Sequence, residues 1–130
     1  MITGKIKELL EKEVVALTTV SGDGRPNVIA VAFCKVIEGS KVLVTDNFMN
    51  KTRQNLVNNQ HVAMAVWSKD MENGYQLKGR AECITEGKYK ELVDKDPNNK
   101  GLAHKAAVLV TVSEIWDLAQ PRLIIKDNNS

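Results

Sequence analysis

Lys41-Val42-Leu43-Val44-Thr45-Asp46-Asn47-Phe48-Met49-Asn50-Lys51-Thr52-Arg53-Gln54-Asn55-Leu56 reads as a short buried strand, a tight polar turn and a helix that opens at Lys51-Thr52. A strand feeding a helix N-terminus leaves several backbone N–H groups without intrahelical partners, beside the positive end of the helix dipole. Such a corner suits a phosphate, and Lys51 and Arg53 add positive charge while Thr52 adds a hydroxyl donor. Many surface helices also begin with a lysine and a threonine, so the same residues fit a plain solvated helix start.

Upstream of this corner, Glu38-Gly39-Ser40 supplies the turn before strand Lys41–Thr45, and Asn27–Ile37 forms the strand before that. Ser21-Gly22-Asp23-Gly24-Arg25-Pro26 has hairpin chemistry, with Asp-Gly for positive φ and proline to end the loop. Nothing around it forms a phosphate-loop pattern. Val14–Val20 is rich in β-formers, and Thr3–Lys12 carries Ile6, Leu9 and Leu10 near helical spacing behind a threonine able to cap. The three strands are expected to make an antiparallel meander.

Downstream, a helix over about Lys51–Asn59 turns Leu56 and Val57 inward, and His61–Ser68 alternates Val62, Met64 and Val66 against Ala63, Ala65 and Trp67. Tyr75–Thr85 is a fifth strand, Glu86–Asp96 a short helix stopped by Pro97, and Lys105–Leu118 a last strand. Alternating charges over Lys88–Lys100 mark a solvated helix face. The tail Ala119–Ser130 turns polar after Ile125 and is expected to fray at its end, or to join a subunit contact. Six strands with hairpin-type turns give a mainly β fold with short helices, a small closed or partly closed antiparallel barrel.

A length of 130 residues fits one domain over 1–130 with a modest core. No apolar run approaches a membrane span, and the charged N-terminal residues do not have a signal layout, so a cytoplasmic location is the default expectation. With 18 basic against 16 acidic residues spread along the chain, nucleic acid is not an expected partner. Cys34 and Cys83 lack CxxC partners and His61 and His104 are not at ligand spacing, so two reduced thiols and no metal site are expected.

Five short stretches occur in a telling order. Gly24-Arg25-Pro26-Asn27 precedes a strand, Val44-Thr45-Asp46-Asn47 ends one, and Asn50-Lys51-Thr52 opens a helix; Asn58-Asn59-Gln60-His61-Val62 begins the next strand, and Lys78-Gly79-Arg80-Ala81-Glu82 follows. Together they resemble the FMN-binding split-barrel family related to pyridoxamine 5′-phosphate oxidase, especially its short single-domain members. The likeness covers Leu9–Glu91 well and the last strand less distinctly. It implies a six-stranded split barrel that forms a homodimer, with one FMN at each of two sites between subunits. The phosphate then falls on Lys51, with Thr52 and Asn50 beside it. Ile29, Ala30, Val31 and Ala32 run along the flavin and ribityl chain, and Val44, Thr45, Asp46 and Asn47 meet the isoalloxazine edge largely through backbone groups. Gln76 is implied as a contact from the partner subunit. Trp67 and Trp116 can stack on a flavin or serve a core or dimer contact, the dimer being the better fit for Trp116.

The departures from that family matter. Its large oxidases carry arginine at the positions of Ile29 and Asn50 and a lysine near Cys34. Without these charges the phosphate is held by fewer charge-assisted bonds, each worth about 1.5–3 kcal/mol. A C-terminal segment with arginine and histidine that grips pyridoxamine phosphate is also missing, so vitamin B6 oxidation is not expected. The resemblance implies an FMN-dependent oxidoreductase, of flavin reductase or nitroreductase type, or an electron carrier, with no catalytic side chain of its own. The donor is NAD(P)H docking transiently, since no G-x-G-x-x-G fold is present, or a redox protein. Two other readings stay open. One is deazaflavin F420 or haem in the same cleft, which the apolar Ala30–Phe33 strand allows. The other is a cofactor-free ligand sensor or structural dimer, favoured by Ile29 and Asn50 and opposed by Lys51-Thr52.

Overall fold

The predicted strand Asn27–Ile37 is two strands, because Phe33 lies in the left-handed region at φ 59° and turns the chain out of its extended path. The computed structural model describes residues 1–126. It runs as helix α1 (Gly4–Lys12), strands β1 (Val15–Val20), β2 (Pro26–Val31), β3 (Lys35–Ile37) and β4 (Lys41–Asp46), helix α2 (Lys51–Asn58), strands β5 (His61–Trp67) and β6 (Gly74–Ile84), helix α3 (Lys88–Lys95), a 3-10 turn at Pro97–Asn99, and strands β7 (Ala106–Asp117) and β8 (Arg122–Lys126).

The strands stand in the order β2-β1-β5-β6-β7-β4-β3, with β8 added on β7, and neighbours are antiparallel. The β1–β2 hairpin closes through Gly24, whose φ of 88° favours glycine. The expected three-stranded meander is not formed. After Phe33 the chain leaves β2, and β3 pairs with β4 at the opposite margin of the sheet. The strand count is accordingly eight, not six: the break at Phe33 yields β3, and part of the tail forms β8 against Glu114–Asp117. The expected fraying at the tail's end falls on residues 127–130, outside the described residues.

β3 and β5 are four strand spacings apart, roughly 19 Å in a flat sheet at ~4.8 Å per strand. Both nevertheless pack on α1, so the sheet curls into a partly closed barrel with that helix across its opening. Leu9 and Leu10 of α1 are buried in one continuous core with Leu17, Val44, Val66, Leu77 and Ile115 from five strands. The Val36 N–H donates to the Glu11 carboxylate at 3.0 Å, and the Ile2 N–H donates to the Gly39 carbonyl at 2.8 Å. These bonds cover backbone that the short margin strand would otherwise expose. β4 is apolar without alternation because both its faces are covered. Val42 and Val44 face the main core, while Leu43 packs with Leu109 of β7 and Val93 of α3.

Between Lys78 and Gly79 the β6–β7 register slips. A Cβ on Gly79 would stand 2.0 Å from the Thr111 carbonyl oxygen, so only glycine allows the two backbones to approach this closely. Gly79→Ala is expected to lower unfolding free energy by about 2–3 kcal/mol in urea denaturation. Gly22→Ala, whose added carbon would meet nothing nearer than Asn58 Cβ at 3.8 Å, should cost less than about 0.5 kcal/mol. Equal midpoints for the two variants would show that the bulge is not a close-packing site.

Candidate functional site

β2 is a margin of the sheet: β1 pairs with one side, and among the described residues no strand pairs with the other. A cleft of about 580 Å³ runs along this free edge. Its first wall is β2 and the residues just after it, from Asn27 and Ile29 through Ala32 to Phe33. The turn from β4 into α2 makes the second wall, with Thr45, Asn47 and then Phe48 to Thr52. Asn99 and Leu102, from the segment after α3, complete it.

The second wall is fixed by a buried carboxylate. Asp46, with 0% exposure, accepts from the Met49 N–H at 2.9 Å and from Arg53 Nε at 2.9 Å, and Arg53 Nη2 closes on the same oxygen as an ion pair. One side chain thus ties the strand end, the turn and the first turn of α2 together. The Asp46 carbonyl accepts from the Lys105 N–H at 2.7 Å, and Asn47 Oδ1 accepts from the His104 N–H at 2.8 Å. Buried Asn99 donates through Nδ2 to Thr45 Oγ1 at 3.0 Å and to the Val93 carbonyl at 2.8 Å, which pins the third wall to the second.

The polar corner lies at the start of α2. Asn50 does not cap the helix, since its Oδ1 accepts from Gln54 Nε2 at 3.0 Å instead. The first-turn N–H groups therefore keep their partial positive charge without a side-chain acceptor at the cap. Lys51 is exposed and makes no ion pair among the described residues, in contrast to Arg53, which Asp46 already neutralises. Thr52 is 1% exposed, and its Oγ1 accepts from Asn27 Nδ2 at 3.4 Å. No aspartate or glutamate lines the cleft; the Asp23 carboxylate, outside the lining, is near enough to feel the Lys51 charge without pairing with it.

The cleft wall also holds no cysteine or histidine. Cys34 is buried and its thiol is pushed up to about 12 by burial; Cys83 is half-buried and also raised, by burial first and then by the Asp46 charge. Neither is a thiolate near neutral pH. His104 Nδ1 lies 2.7 Å from Asp94 on α3, and no metal-holding cluster occurs among the described residues. The arrangement suits binding of an elongated molecule with an anionic end and an apolar body, not side-chain nucleophilic or acid–base chemistry.

Residues 2–119 match the pyridoxamine 5′-phosphate oxidase family. The chain belongs to that family. A Methanocaldococcus jannaschii protein of uncharacterised role is 38% identical over 135 residues, covering 97% of this chain and 89% of its own. An FMN-binding protein of Nitratidesulfovibrio vulgaris is 25% identical over 95 residues, covering 67% of this chain and 78% of its own. The crystal structure of Group A Streptococcus HupZ aligns with a TM-score of 0.88 at 26% identity, covering 95% of this chain and 99% of that one. The curled sheet is thus a pyridoxamine 5′-phosphate oxidase-like split barrel. No helix among the described residues is long and apolar enough to cross a membrane.

Within this family frame, nine of the twelve residues singled out from sequence line the cleft: Ile29, Ala30, Val31 and Ala32 on one wall, Thr45, Asn47, Asn50, Lys51 and Thr52 on the other. Val44 does not, being wholly buried in the barrel core, and Asp46 is consumed by the Arg53 clamp. Gln76 lies on β6, paired with Ala65 and Trp116, away from the wall of the cleft. Asn27, Phe33, Phe48, Met49, Asn99 and Leu102 also line the cleft, and of these only Phe33 is tied to it by the sequence, through the apolar stretch Ala30–Phe33. Asn27 lies within one of the five short stretches, and Phe48 and Met49 lie between two of them, whereas Asn99 and Leu102 carry no signal.

Removing the clamp charge tests this construction. Asp46→Asn leaves the half-exposed Arg53 without its counter-ion and is expected to cost about 1–2 kcal/mol of stability in urea denaturation. An unchanged midpoint would mean that the corner is held by other contacts.

Proposed function

We propose that this member of the pyridoxamine 5′-phosphate oxidase family binds FMN in the cleft along β2 and works as a homodimeric oxidoreductase or electron carrier. The observation that carries the reading is Lys51, an unpaired cation at an uncapped helix start inside a cleft lined by no acid. A dianionic phosphate fits that corner. Lys51 supplies charge, and the first-turn N–H groups of α2 supply donors. Thr52 supplies a hydroxyl whose oxygen already accepts from Asn27, which leaves its proton free to point at a phosphate oxygen. This is a sparer seat than one built with arginines, because Ile29 and Asn50 are uncharged.

Bound flavin would supply the redox chemistry. The chain's own part is to hold and orient it. Asn47 Oδ1 is committed to the His104 N–H, so its Nδ2 remains a donor toward the cleft, and Thr45 Oγ1, accepting from Asn99, keeps its own proton to donate. Donors at the flavin's polar edge stabilise the negative charge that reduction builds there. The apolar face of Ile29–Ala32 packs the ring and keeps water from it. Gln76 reaches the site from the second copy in this arrangement, and NAD(P)H or a redox protein is the donor. The N. vulgaris relative named as an FMN-binding protein supports the choice of cofactor. The apolar wall at Ala30–Phe33 also suits deazaflavin F420, the second reading.

Calorimetric titration with FMN and with riboflavin tests the proposal, because the two differ only in the phosphate. Wild type should bind FMN the more tightly, and Lys51→Ala should weaken FMN about 10- to 100-fold while leaving riboflavin unaffected. Equal affinity of wild type for the two compounds would remove the phosphate seat and the reading with it.

A further inference from the structure

The chain has two phenylalanines, and both line this cleft. Phe33 is 49% exposed and Phe48 77% exposed, although aromatic rings ordinarily gain most from burial. Phe33 holds its position at a cost. Its φ of 59° is a genuine outlier for a bulky residue, and it stands between exposed Ala32 and buried Cys34. The strained residue turns the chain so that Cys34 enters the core while the Phe33 ring stays at the cleft. Strain of this kind persists where the surroundings fix it, and it clusters at ligand sites.

A second cation stands beside one of these rings, just outside the cleft lining. Lys105 Nζ lies 5.9 Å from the centre of the Phe48 ring, and Lys105 makes no ion pair among the described residues. Its backbone is held against the Phe48 turn by the bond from its N–H to the Asp46 carbonyl. Exposed and without an ion pair among the described residues, Lys105 is left for a ligand, beside an aromatic ring and not at a helix start.

We propose that Phe33, Phe48 and Lys105 form a second subsite at the mouth of the cleft, which takes a flat aromatic molecule bearing a carboxylate or a comparable negative charge. The aromatic body lies against the phenylalanine rings and its anionic group meets Lys105. In the flavin-binding reading this molecule is the co-substrate that meets the cofactor, so the identification of its role rests on that reading while the subsite itself does not.

The probe is 2-naphthoate, with 2-naphthalenemethanol as its neutral counterpart, titrated calorimetrically into the full-length protein with and without saturating FMN. Phe48→Ala is expected to weaken naphthoate about tenfold in the flavin-free protein. Lys105→Met should weaken naphthoate about fivefold and leave the alcohol unchanged. Both positions are exposed, and thermal midpoints within about 2 °C of wild type would exclude unfolding as the cause. Absence of naphthoate binding to wild type, or equal binding to wild type and Phe48→Ala, overturns the subsite. So does a loss of FMN affinity in Lys105→Met parallel to that of naphthoate, which would make this lysine part of the flavin seat, or dissociation of a dimer by Phe48→Ala in sedimentation, which would make the rings a subunit contact. If FMN itself fails to bind, the proposed function falls, and the titration of flavin-free protein still decides the subsite.

Discussion

A carboxylate shut away from water at the end of β4 governs the rest of the site. Asp46 can stay buried only because Arg53 and the Met49 N–H satisfy it. Meeting that demand fixes the angle at which the strand hands over to α2. The same pairing occupies Arg53, so the charge left over at the helix start belongs to Lys51 alone. A single structural requirement thereby shapes the corner and decides which of its cations is available to a ligand.

The barrel supports this corner from behind. β4 can be apolar on both faces because α3 covers the side away from the core, and α3 leads into the turn from which Asn99 reaches back to Thr45. Core, helix and cleft wall are therefore links of one chain of contacts. A change in the packing of Leu43 against Val93 would be felt at the cleft through Asn99, without touching any residue that lines it.

Much of this was visible in the sequence where the physics is local. The apolar run Lys41–Thr45, the polar turn and the helix start at Lys51 depend on neighbours a few residues apart, and they appear where the residues place them. The hairpin at Gly24 follows from turn chemistry of the same short range. Phe33 was hidden because no propensity marks a phenylalanine for positive φ. The resemblance implies Val44 and Asp46 at the site largely through their backbone groups; their side chains are turned to the core and to Arg53 by packing and pairing that no local rule displays. Asn99 lies 54 residues from Thr45 in the chain, and nothing in Pro97-Asn98-Asn99 beyond a helix stop foretells that bond. The family resemblance supplied what local rules could not, namely that residues from β2 and from α2 share one cavity.

The free margin of β2 has a further consequence. Its outward backbone groups form a ready template on which another extended segment could add, the usual starting point of edge-to-edge association. Here that margin is also a cavity wall, so whatever fills the cavity shields the template. Occupancy and colloidal behaviour are then coupled through a single strand: the filled molecule conceals its sticky border, and emptying it uncovers that border to its neighbours in solution.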